Sequence, residues 1–235
     1  MVAAVRKGAM MSYAGVPRGM VSYLAALEQH NNRDWFEAHR AEYEVHWLGA
    51  GLDLVAALSG PCAALKPALM AVPKLNASLR RINRDVRFAK DKRPYDPRLH
   101  LILSTGPLFN KVPGVHLVID AAGIGYGAGH YGFAPDGLDR YRRTLADPGE
   151  RAGFEALLAQ AAGVGAVLDP PELARVPKGF AAAGWDGLIR RKSVIVRTPV
   201  HLAHPDWLFG RDAIPHLMAI VAALNPVAQY LCRFS

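Results

Sequence analysis

Apolar residues recur at helical spacing near both ends of the chain and alternate in its middle. From Val21, Leu24 and Leu27 follow at intervals of three as far as Asn31-Asn32, which predicts an amphipathic helix. Asn32 can cap a second helix whose first turn carries Asp34, an acidic group at the positive helix end. In it Phe36, Tyr43 and Trp47 form one stripe, extended by Trp35, and stripes of this kind pack against a sheet. A third helix is expected over residues 52–65, broken near Gly60-Pro61.

After Pro73 the period changes. Residues 78–82, 99–104, 115–121 and 124–133 are short, β-branched or alternating, and are separated by Pro, Gly, Asn or Asp, the pattern of antiparallel strands. Leu138, Tyr141 and Leu145 then mark a helix with Arg140 and Arg143 on its wet side. In Asp147-Pro148-Gly149-Glu150 a capping Asp, a Pro at the first helical position and a Glu at the third precede Phe154, Leu157, Leu158 and Ala161 on one face. Residues 194–197 read as a last strand, and 214–224 as a helix stopped by Asn225-Pro226. Helices, then strands, then helices predict an α+β fold, with a central, mostly antiparallel sheet and helices packed from both terminal parts. Residues 1–16 read as a flexible leader, with Met11 an alternative start, and residues 17–235 as one domain.

Composition fits a sizeable core: 235 residues, 51% hydrophobic and 20% charged. The longest uninterrupted apolar run, residues 217–224, is well short of the roughly 20 needed to cross a bilayer. No apolar stretch follows the early charges Arg6 and Lys7, so the start does not read as a secretory signal. Cys62 and Cys232 are far apart and flanked by apolar residues, which predicts buried free thiols and a cytoplasmic location.

Charge then narrows the picture. The formal net charge is +8, and residues 80–98 supply a surplus of five, with eight Arg and Lys against Asp85, Asp91 and Asp96. Cations gathered this closely must pair with carboxylates, spread into water, or hold an outside anion. If 78–82 is a strand, Arg80 and Ile82 share one side of it, so one Arg could turn beneath the sheet. Residues 85–92 carry too many charges for a core strand and read as a loop or edge, with Phe88 as its anchor in the core and Arg87 between two carboxylate partners.

Catalytic motifs are missing. There is no G-x-S-x-G elbow, no phosphate-binding G-x-x-x-x-G-K-[ST] loop and no His set at metal spacing, so no cofactor or metal is expected and the nine His residues read as structural or solvated. Gly127, Gly129 and Gly132 fit G-x-G-x-x-G, but Pro135 prevents the helix that a dinucleotide fingerprint needs. As a strand, Gly123, Gly125, Gly127 and Gly129 leave one face bare, open to another segment of the chain or to a ligand.

Four runs carry a family resemblance: NNRDWFEAHRAEYE at 31–44, RDVRFAKDKRPY at 84–95, GAGHYGFAP at 127–135 and VPKGF at 176–180. Together, across roughly residues 20–232, they resemble domain-of-unknown-function family 2461, with its N-R-x-W-F and R-D-x-R-F-S-K-D-K-T-P-Y-K signatures. The likeness maps onto Asn32, Arg33, Trp35 and Phe36, onto the loop from Arg84 to Tyr95, and onto Arg142, Pro177, Lys178 and Gly179. It departs at Ala89, Arg93 and Asp96, which removes a hydroxyl and reverses a charge that a phosphate site could use. The resemblance implies no activity, cofactor or substrate.

Three readings stay open. Arg84, Arg87, Lys90, Lys92 and Tyr95, joined by Arg142 and Lys178, could form a pocket for a small phosphate- or carboxylate-bearing ligand, with Asp85 or Asp91 as general base if a reaction occurs. The basic surface could instead dock nucleic acid or an acidic protein. Or the charges could satisfy one another in an ion-pair network that braces the loop.

Overall fold

A computed structural model of the chain describes residues 13–109, 111–180 and 184–235. Most of the expected leader lies outside these residues. Its last part, however, is packed: Val16 is buried and its N–H donates to the Leu208 carbonyl at 2.9 Å. Residues 13–16 therefore belong with the folded chain.

The fold is α+β, built on a five-stranded antiparallel sheet. The strands are β1 (Arg98–Ser104), β2 (Gly114–Asp120), β3 (Ile124–His130), β4 (Val167–Leu168) and β5 (Val194–Arg197), in spatial order β1-β2-β3-β5-β4. Alternation sorts the two faces. Leu99, Leu101, Leu103, Val115, Leu117, Ile119, Ile124, Tyr126, Ala128, Val194 and Val196 are buried on one face in the main core. Ile102 and Ile195 are also buried, but lie outside that core cluster, on the opposite face.

Helices cover the core face. The helices before the sheet are α1 (Arg18–Gln29), α2 (Arg33–Ala38), α3 (Arg40–Glu42), a π-helical turn Tyr43–Gly49, and α4 (Ala50–Ala64). Asn32 caps α2 by accepting the Trp35 N–H at 2.9 Å. Phe36, Tyr43 and Trp47 are buried as the stripe predicts, with neighbouring ring centroids 5.1 and 5.4 Å apart. After β3 come α5 (Pro135–Ala146), α6 (Pro148–Gly163), α7 (Asp186–Ile189) and α8 (Ala213–Leu231). Asp147 caps α6 through the Glu150 N–H at 2.8 Å. Helix α8 crosses β2 and β3 with Leu217, Val221, Leu224, Val227, Ala228 and Leu231 buried.

Four local expectations are corrected. Helix α4 passes through Pro61 without a break, and α8 passes through Pro226. In both, buried residues on each side of the Pro keep the axis in place, and the Asn225 side chain ties α8 to the Pro67 carbonyl at 2.8 Å. Residues 78–82 form isolated bridges and no regular strand: Leu79 bridges Leu101, the Arg80 backbone N–H donates to the His100 carbonyl, and the chain leaves the β1 edge where Asn83 bridges Tyr95. Phe88 is 95% exposed and does not anchor its loop.

Two helical stretches, Arg40–Ala64 and Ala213–Phe234, have the length and composition of a membrane span, although neither contains a long uninterrupted apolar run. Leu54, Val55, Leu58 and the α8 residues above place their most apolar faces inside the molecule. Cys62 and Cys232 are free, and burial pushes the Cys62 thiol up to about 11.

Candidate anion-binding site

The loop from Arg84 to Tyr95 is closed largely upon itself. Asp85 accepts both Arg87 Nε at 3.0 Å and Arg87 Nη2 at 2.7 Å. Asp91 takes Arg93 and Arg84, and Arg84 also donates to the Arg93 carbonyl at 2.9 Å. Lys92 Nζ donates to the carbonyls of Val86 and Arg87. Tyr95 is buried, its ring stacked 4.1 Å from Phe36 and its backbone held on both sides by the Asn31 amide. Lys90 is exposed, with no partner among the described residues.

These pairings act on the two carboxylates proposed as bases. Hydrogen bonds from Arg93 hold Asp91 well below the usual carboxylate range, and those from Arg87 lower Asp85. A carboxylate stabilised in this way is a weak base at neutral pH.

Arg142 and Lys178 are placed elsewhere. Arg142 donates to the carbonyls of Ile189 and Arg191, so its fork closes the end of α7. Lys178 is exposed. Among the described residues no hydrogen bond or ion pair joins either one to the 84–95 loop.

A different cluster forms on the open face of the sheet. The antiparallel register sets His100 opposite Val118, Ile102 opposite His116, and His116 opposite Gly127. His100 Nε2 and His116 Nδ1 are 2.8 Å apart. One imidazole must donate its N–H to the bare nitrogen of the other, so the pair can carry at most one positive charge while the bond persists. Burial, then the charge of Arg80, lowers His116 to about 4; burial and its charged neighbours lower His100 to about 2.

The glycines decide how near other groups come. Thr198 N–H donates to the Tyr126 carbonyl, and Leu202 pairs with Ile124, which runs the segment after β5 alongside the start of β3. A Cβ on Gly125 would collide with the His201 ring, so the missing side chain admits that imidazole. His201 Nδ1 meets Asp120 Oδ2 at 2.6 Å, and Asp120 Oδ1 caps the β2–β3 turn by accepting the Ala122 and Gly123 N–H groups. A Cβ on Gly127 would strike the Val196 carbonyl oxygen and lie 2.8 Å from Arg197 Cβ. Gly123 and Gly129 are crowded in the same way by the Leu202 and Val194 carbonyls, so the chain itself fills the space beside all four glycines.

Beside them lies a cavity of about 330 Å³ lined by Arg80, Arg98, His100, His116, Arg197, Thr198 and His201, with Gly125, Gly127 and Gly129 in its wall. Arg98 pairs with Asp96 at 2.7 Å and Arg197 with Asp169 at 2.9 Å. Arg80 has no carboxylate partner among the described residues, and no carboxylate is among the residues lining the cavity. No group of three potential metal ligands occurs among the described residues.

Sequence reasoning flagged the alternate glycines of β3, but it expected one Arg of residues 78–82 to turn beneath the sheet, whereas Arg80 is exposed at the cavity mouth, and it read every histidine as structural or solvated. The missed signal was the alternation itself. In Arg98-Leu99-His100-Leu101 and Val115-His116-Leu117, both imidazoles take the polar side of neighbouring strands.

Comparison with known proteins adds a family and no activity. The family model described as conserved hypothetical protein (DUF2461) matches residues 19–230. No curated protein matches the chain, and no solved structure matches it.

Proposed function

The chain belongs to the DUF2461 family, and we propose that it binds a small phosphate- or carboxylate-bearing molecule on the open face of its sheet. The observation that carries this reading is Arg80: a guanidinium without a carboxylate partner among the described residues, at a cavity beside the His100–His116 pair. The planar Arg fork can grip two oxygens of a carboxylate or phosphate at once, and imidazole N–H groups and the Thr198 hydroxyl supply further donors. The Arg84 to Tyr95 loop is assigned to bracing, since its aspartates already hold Arg84, Arg87 and Arg93.

Isothermal titration with inorganic phosphate tests the assignment. Binding is expected in the native protein, with a loss of about tenfold or more in Arg80→Ala, the scale of one charged hydrogen-bonding partner. Arg87→Ala should bind normally and shift the melting temperature by roughly 2 °C or less, because its ion pair is exposed. Equal binding by native protein and Arg80→Ala, with loss in Arg87→Ala, would return the site to the 84–95 loop. Tight binding to oligonucleotides that falls steeply with salt, without phosphate binding, would favour a nucleic-acid surface.

A further inference from the structure

A second cavity, of about 540 Å³, adjoins the first and shares Arg80, His116, Gly129 and Tyr131 with it. Its outer wall contains Lys111, held in a turn by its own N–H to the Leu108 carbonyl at 2.7 Å. Lys111 has no carboxylate partner among the described residues, and none of the residues lining this second cavity is acidic. The rest of its lining mixes Ile102, Phe109 and Val112 with His116 and His130, and Tyr131 beside them is 66% exposed.

Each compartment alone falls within the roughly 300–1,000 Å³ of a small-molecule pocket, so one inorganic anion would occupy a small part of the space. Two cationic side chains in adjoining compartments, with no acid in either lining, favour a particular ligand shape. We infer that the natural ligand is an elongated molecule with an anionic group at each end, one held by Arg80 and the histidine pair and the other by Lys111. This rests on the binding site proposed above and extends it to a substrate class: a bis-phosphate, a dicarboxylate or a mixed dianion.

The test is a titration series of α,ω-alkane bisphosphonates of increasing chain length against methylphosphonate. Affinity should pass through a maximum at one spacer length, about tenfold or more above methylphosphonate, because the second group binds at a raised effective concentration. Lys111→Ala should remove that gain and leave methylphosphonate binding within about twofold, whereas Arg80→Ala should weaken every member. If methylphosphonate binds and the bisphosphonates are no tighter at any length, the two-ended ligand is wrong and the single anion site stands. A gain that survives Lys111→Ala also overturns the assignment. If neither probe binds, both readings fall together.

Discussion

His100 and His116 are held neutral by burial, and that has a consequence for stability. Their folded-state values are depressed below the ordinary imidazole value, so below pH 6.5 the unfolded chain takes up protons that the folded chain refuses. Stability is complete above pH 6.5 and falls as pH drops toward about 4 for His116 and lower for His100. Each such imidazole contributes a slope of up to about 1.4 kcal/mol per pH unit, less where solvent reaches the cavity. Chemical denaturation between pH 7 and pH 5, above the range where carboxylates titrate, should show stability declining with acid. His100→Asn/His116→Asn should be flatter over the same interval, and equal slopes would mean the pair is not held neutral. A bound anion favours a charged pair, so ligand should narrow this acid sensitivity.

At the scale of elements, the glycines of β3 separate two kinds of crowding. A methyl at Gly125 meets the end of a His201 side chain, which can swing away, whereas a methyl at Gly127 meets the backbone of β5. Gly127→Ala should therefore destabilise the protein by at least about 1–3 kcal/mol, and Gly125→Ala by less. Thermal denaturation of the two variants checks the order, and the reverse order would contradict the packing of β5 on β3. Strands were legible in the sequence wherever alternation ran uninterrupted: 99–104 and 194–197 match β1 and β5 within a residue. Caps at Asn32 and Asp147 were legible because their chemistry is local. Pro61 and Pro226 misled because a helix break is also local, while the burial of Cys62, Val227 and Ala228 that overrides it comes from distant parts of the chain. Residues 78–82 misled for a related reason, since alternation does not reveal where a chain leaves a sheet edge.

For the whole molecule, the surplus of positive charge proved a poor guide to position. Many of the cations are neutralised in exposed pairs such as Arg140–Asp136, Arg143–Asp139 and Arg233–Glu150, which contribute little to stability. The segment with the densest charge carries its own aspartates, two residues away from Arg87, Arg93 and Arg98. What distinguishes the sheet face is the absence of acid from the lining of two adjoining cavities, and that requires β1, β2, β3 and β5 to be assembled first. The sequence held half of this site in plain view, in the alternate glycines of β3. It hid the other half, because His100 and His116 become neighbours only through the β1–β2 register.

A phosphate titration of ¹⁵N-labelled protein, followed by backbone amide shifts, tests the central claim most directly. The account predicts saturable changes centred on Gly125, Gly127, Gly129, His100 and His116, with residues 84–95 little affected. Changes confined to 84–95, or none at millimolar phosphate, would contradict it.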